Sequence, residues 1–104
     1  MGSITIKDSL FDGNSANSSI SQGGAIYNNA VLNVSDTVFT DNTAAYGGAL
    51  YVSDTYGTGS TNLENVELKN NTASQHGGAI YSTANVTLSA DGSGKKNVIQ
   101  GNKL

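Results

Sequence analysis

The chain of 104 residues has no cysteine, no proline, no tryptophan and no arginine. Without cysteine there is no disulfide staple and no thiolate metal site, a condition that cytosolic and exported proteins both meet. Charge is scarce too: 12% of residues are charged and the net charge is −3. Five lysines, of which only Lys95 and Lys96 are adjacent, do not make the basic footprint of a nucleic-acid binder. No apolar run approaches the roughly 20 residues that cross a bilayer, so no direct membrane insertion of this segment is expected. Ile4-Thr5-Ile6 is far too short for the apolar stretch of a signal peptide. Met1-Gly2-Ser3 reads as an expression start, so residues 1–3 are set apart from the fold and the natural chain is expected to extend further. Hydrophobic residues make up only 37%, too few for a thick core. The low net charge and the regular spacing of the apolar residues nevertheless argue against disorder. A single domain with a thin, repetitive core is expected.

What the chain does have is repetition. Gly-Gly-Ala, an aliphatic residue and Tyr occur at Gly23–Tyr27, Gly47–Tyr51 and Gly77–Tyr81. A second marker, apolar-x-x-Asn, occurs at Phe11–Asn14, Phe39–Asn42, Leu68–Asn71 and Ile99–Asn102, at intervals of 28, 29 and 31 residues. Ahead of the first three markers, ITIKDSLF, LNVSDTVF and TNLENVEL align without gaps. VTLS at Val86–Ser89 starts the same way and is then interrupted by ADGSGKKN. Ile4 and Ile6, Leu32 and Val34, Thr61 and Leu63, and Val86 and Leu88 alternate with Thr5, Asn33, Asn62 and Thr87. Period two means strands with one dry face. The same alternation points Ile26, Leu50 and Ile80 inward and Tyr27, Tyr51 and Tyr81 outward. No window carries apolar residues at helical spacing, and Gly and Asn are poor helix formers. Each repeat thus holds three short strands: one after the glycine pair, one in the alternating block and one on the marker. The expected fold is all-β, a parallel β-solenoid of three to four coils stacked about 4.8 Å apart. One coil cannot bury its inner face, whereas stacked coils can.

The recurring residues receive structural roles on this reading. Gly23, Gly24, Gly47, Gly48, Gly77 and Gly78 sit where each coil turns sharply, either at positive φ or with backbone packed against the next coil. Asn14, Asn42, Asn71 and Asn102 are expected to form a ladder, amide to amide, while capping turn backbone.

The paired motifs resemble the repeats of chlamydial polymorphic outer membrane proteins and of related bacterial autotransporter passengers and adhesin-like proteins, over about residues 4–102. The resemblance implies a right-handed parallel β-helix. It implies that residues 1–104 are one segment of a longer passenger, extracellular or on the bacterial outer-membrane surface, carried by a C-terminal barrel that this sequence lacks. It further implies a non-catalytic, structural or adhesive role toward a host-cell protein or glycan.

Candidate binding residues are the exterior Tyr27, with Asn28 and Asn29 beside it, Tyr51 and Tyr81, and Tyr56 in the insertion at 53–60. Aromatic rings with polar neighbours suit sugars or a protein partner; the simpler reading is stacking that stiffens the column. Asp8 aligns with Asp36, Asn65 and Lys96. Such a carboxylate pair can share a proton or hold a cation, as a carbohydrate-active β-helix enzyme would need. The simpler reading is two solvated turn carboxylates, and the absence of arginine counts against a lyase. His76 aligns with Gln22 and Tyr46 and reads as a turn residue. Asp91-Gly92-Ser93-Gly94 lacks the spaced ligands of a calcium loop. No catalytic residue, metal or cofactor is assigned. A third reading is self-association, because the exposed ends of a solenoid present unpaired strand edges.

Overall fold

The structure, a computed structural model, describes residues 3–53, 60–83, 85–89 and 97–103. Among them are eleven strands and no helix: β1 (Ser3–Lys7), β2 (Leu10–Asp12), β3 (Ile26–Asn28), β4 (Val31–Thr40), β5 (Thr43–Tyr46), β6 (Leu50–Val52), β7 (Ser60–Lys69), β8 (Thr72–His76), β9 (Ile80–Ser82), β10 (Asn85–Ser89) and β11 (Val98–Gln100). Every pairing is parallel. The first sheet runs β1-β4-β7-β10, with β2 on β4 and β11 on β7; the second is β5-β8; the third is β3-β6-β9. In the first pass, single bridges from Ser15 to Thr43 and from Gln22 to Tyr46 stand in for a strand of the second sheet. The chain therefore visits the three sheets in one fixed order and lays each new strand beside its predecessor, the path of a β-helix.

The repeat does not divide into strands as the sequence suggests. The alternating block and the marker fuse into single ten-residue strands in β4 and β7. Asp36 and Asn65 take up the bend inside them at φ of 51° and 54°, as Asp8 does between β1 and β2 at 51°. Asn and Asp enter this left-handed region at lower cost than other residues with a Cβ. The remaining strand of each repeat, β5 or β8, follows the marker Asn, and its inner positions are the stacked, buried Ala44 and Ala73.

Inner side chains meet their equivalents level by level: Ile4, Leu32, Thr61 and Val86; Ile6, Val34, Leu63 and Leu88; Phe11, Phe39, Leu68 and Ile99. The rings of Phe11 and Phe39 stack at 4.8 Å, the distance that strand pairing imposes. Thr61 is the polar member of its column and is fully buried, but its hydroxyl accepts from Asn28 Nδ2 at 3.1 Å. Burial is complete only in the middle levels. Leu63 and Leu68 are 0% exposed, whereas Ile4, Leu88 and Ile99 at the two ends are 55%, 51% and 51% exposed.

The four marker asparagines form one continuous chain of amides. Asn14 Nδ2 donates to Asn42 Oδ1 (3.0 Å), Asn42 Nδ2 to Asn71 Oδ1 (2.9 Å) and Asn71 Nδ2 to Asn102 Oδ1 (2.9 Å). Each Oδ1 also accepts the backbone N–H of the preceding Asn, at 2.9, 3.0 and 2.8 Å. The second amide hydrogens of Asn42, Asn71 and Asn102 go to the carbonyls of Phe11, Phe39 and Leu68. Asn42 and Asn71 are wholly buried, with both donors and both acceptor sites of each amide in use.

The two glycines of each pair serve different needs. Gly47 has φ of +68°, where a Cβ is strained. Gly48 has an ordinary φ, but a Cβ there would overlap the Gly78 carbonyl oxygen and stand 2.7 Å from Thr72 N in the next level. Gly13 provides a control: its φ is positive, and a methyl group there would meet nothing within 4 Å. Gly48→Ala should cost about 3 kcal/mol or more, because backbone of two passes must separate. Gly13→Ala should cost only the conformational penalty of about 1–2 kcal/mol. Urea denaturation of the two variants checks the order, and an equal loss would contradict it.

Candidate functional site

Strands β3, β6 and β9 each carry a central tyrosine on the outer side, and the register places Tyr27 beside Tyr51 beside Tyr81. Tyr27 and Tyr51 stack at 5.2 Å with ring planes 7° apart, and Tyr51 and Tyr81 at 5.1 Å and 16°. Both faces of Tyr51 are therefore occupied by its neighbours. The stripe offers ring edges and hydroxyls to solvent, plus the far face of Tyr27, which is 47% exposed. An open ring face is the feature that suits a stacked sugar.

The stripe is larger than the repeated motif. Tyr46 and His76 end β5 and β8 and precede the glycine pairs that turn the chain into the third sheet. Tyr46 meets Tyr81 edge-on at 5.6 Å and 69°, and His76 lies 5.7 Å from Tyr46 and 6.4 Å from Tyr81. His76, read from sequence as a plain turn residue, thus belongs to the aromatic group. With Ile20 and Gln22, Tyr46, Tyr51 and Tyr81 line an open hollow of about 300 Å³. Asn28 does not flank the stripe. It is 4% exposed and points inward, its amide bonded to Ala30 O and Thr61 Oγ1 while Oδ1 accepts Ala30 N–H. The alternation that sends Tyr27 outward requires this. Tyr56 lies outside the described residues, as do Lys96 and the loop of Asp91 to Gly94.

Asp8, between β1 and β2, and Asp36, within β4, are exposed bend residues, and Asp36 Oδ1 accepts from Asn65 Nδ2 at 3.2 Å. Among the described residues no three His, Cys, Asp or Glu side chains group to hold a metal ion. On the outer side of the first sheet Asn62 Nδ2 donates to Asn33 Oδ1 at 2.8 Å.

Residues 8–29, 36–53 and 65–83, more than half of the chain, match the Chlamydia polymorphic membrane protein repeat. The chain belongs to this repeat family. Each matched segment begins on a bend residue, Asp8, Asp36 or Asn65, and runs through the marker Asn and the glycine pair to the outward tyrosine. The family unit is thus one circuit from the bend of the first sheet to the end of the third. The chain is also 40% identical over 88 residues to the probable autotransporter YfaL of Escherichia coli (strain K12). That match covers 79% of this chain and 7% of the relative, so the chain spans a small fraction of the relative's length. No solved structure matches.

Within these repeats the central tyrosine has an altered acidity. Burial first, and then the neighbouring phenols of Tyr81, Tyr27 and Tyr46, raise the pKa of Tyr51 above the ordinary tyrosine value. A phenol with a higher pKa in the folded chain than in the unfolded one holds its proton more tightly when folded. Its contribution to stability is therefore intact below about pH 10 and is lost as the pH rises through the folded value. Stability should fall as the pH climbs above 10, and Tyr51→Phe should lessen that fall. Denaturant midpoints measured between pH 8 and 11 check this; an unchanged alkaline slope in the variant would contradict it.

Proposed function

We propose that the chain is a non-catalytic segment of a surface-displayed passenger, a right-handed parallel β-helix of three to four coils that holds an aromatic contact site at fixed spacing outside the bacterial cell. The right hand is supported by the general preference of crossovers between parallel strands, and the coil number by the four stacked marker asparagines. The surface location is carried over from the repeat family and from the relative described as a probable autotransporter.

The observation that carries an adhesive role is the outer aromatic group of Tyr27, Tyr51, Tyr81, Tyr46 and His76, of which Tyr46, Tyr51 and Tyr81 line one open hollow. Tyrosine contributes large contact area and a hydroxyl while losing little conformational freedom. The stack has already fixed the rotamers of its members, so less entropy is lost on contact. The partner class is a host or matrix protein or glycan that meets ring edges and hydroxyls.

The test is retention of cultured epithelial cells, and of a panel of immobilised glycans, by the surface-coated chain. Replacing Tyr27, Tyr51 and Tyr81 together by Ser should lower retention about tenfold or more, since tyrosine anchors typically cost about 2 kcal/mol each when truncated. The far-ultraviolet β signature of the variant should persist, because the three side chains lie outside the core. Equal retention by the variant would remove the stripe from this reading.

A further inference from the structure

We propose that Tyr51 is a site of oxidative coupling: a ring carbon ortho to its hydroxyl joins the matching carbon of Tyr27 or Tyr81, forming a dityrosine bond that staples one pass of the β-helix to the next. The oxidant is hydrogen peroxide acting through a haem peroxidase. This modification is independent of any adhesive role of the same rings. It rests on the geometry of the stack and on the residue types that the sequence lacks.

The backbone sets how close these phenols lie. Tyr51 is 5.2 Å from Tyr27 and 5.1 Å from Tyr81, with ring planes 7° and 16° apart. Parallel pairing holds the three residues in register, so their rings remain neighbours however the side chains tilt. The contacts lie between successive passes on the outer side, and all three tyrosines keep some exposure. An oxidant therefore reaches them from solvent. Tyrosine is also the side chain that yields first here. Cysteine and tryptophan, which would compete for a one-electron oxidant, are absent, and Met1 is the one methionine. Methionine is oxidised by oxygen transfer to its sulfoxide and forms no such link.

Each of the two phenols gives up one electron and its O–H proton. The resulting phenoxyl radicals pair their electrons in a C–C bond between ortho carbons. The hydrogens those carbons carried then move to the phenolic oxygens. Hydrogen peroxide takes up the two electrons and two protons and leaves as two waters. The rings must slip and tilt from their stacked positions for the carbons to meet, and the open outer side gives them room. Radicals held on adjacent strands combine within one chain, which proximity favours over collision between chains. The new bond closes a loop of chain between Tyr51 and its partner. Like a disulfide, it removes freedom from the unfolded chain, and in a sequence without cysteine no disulfide does so.

The test exposes the dilute chain to a plant haem peroxidase and hydrogen peroxide and then isolates the monomer under denaturing conditions. Dityrosine fluorescence should appear in that monomer, with its mass lower by two hydrogens. Trypsin cuts the unfolded chain at Lys69, so a Tyr51–Tyr81 link joins peptides 8–69 and 70–95, whereas a Tyr27–Tyr51 link stays within 8–69. Tyr51→Phe leaves Tyr27 and Tyr81 two levels apart, about 10 Å. It should lower the yield in the monomer about tenfold, because the stacked pairs are gone. Tyr46→Phe removes only the edge-on contact with Tyr81 and should leave most of the yield. Cooperative melting of both variants shows that they are folded. The linked monomer should also unfold at a higher urea concentration than the unlinked one. No fluorescence in the parent monomer, or links only between chains, would overturn the proposal. Equal yields from the parent and Tyr51→Phe would overturn it too, by placing the coupling on other phenols. An unchanged urea midpoint would contradict the staple.

Discussion

The structure depends on the amide ladder of Asn14, Asn42, Asn71 and Asn102. Hydrophobic burial of an inner aliphatic side chain contributes about 1.5–3 kcal/mol, more than a typical net hydrogen bond at about 0.5–1.5 kcal/mol. Burial alone, however, is non-directional. Leucine, isoleucine, valine and phenylalanine replace one another freely in the columns, so they do not fix which residue of one pass lies on which residue of the next. The ladder does. A one-residue slip would strand a buried carboxamide with up to four unmet hydrogen-bonding sites, as well as the carbonyls of Phe11, Phe39 and Leu68 that the amides cap.

The corners follow from that registration. The residue just before each marker Asn, namely Gly13, Asp41, Asn70 and Gly101, has φ of 70°, 57°, 56° and 70°. This left-handed residue turns the backbone so that the following Asn faces the axis and its N–H meets the amide of the next pass. Across the fold, Gly48 lets the turn into the third sheet lie directly against Gly78. The outward tyrosines inherit their spacing from the same levels, which is why their rings stack at 5.1–5.2 Å without a dedicated device. Surface and interior are two readings of one repeat.

Much of this was legible in the residues. Period-two alternation gave the inner columns, and the glycine pair and marker Asn gave the repeat and its levels. Less legible were features that depend on sheets meeting at a corner. Tyr46 and His76 share no motif with Tyr81, and only the fold brings them together. The fusion of the alternating block and marker into β4 and β7 was hidden because Asp36 and Asn65 look like strand breakers, yet they bend the strand and keep its ladder. One further signal does stand in the sequence: the position before each marker Asn is always Gly, Asp or Asn, the residues that best tolerate positive φ. The inward turn of Asn28 was likewise implied by the outward turn of Tyr27.

Hydrogen exchange of the asparagine side-chain amides, followed by NMR, tests the ladder most directly. The account predicts that the Nδ2 hydrogens of Asn42 and Asn71 exchange far more slowly than those of exposed Asn17, with protection approaching that of the core strand amides. It also predicts cross-peaks linking the Asn42 and Asn71 side chains. Exchange of Asn42 and Asn71 as fast as that of Asn17 would contradict it.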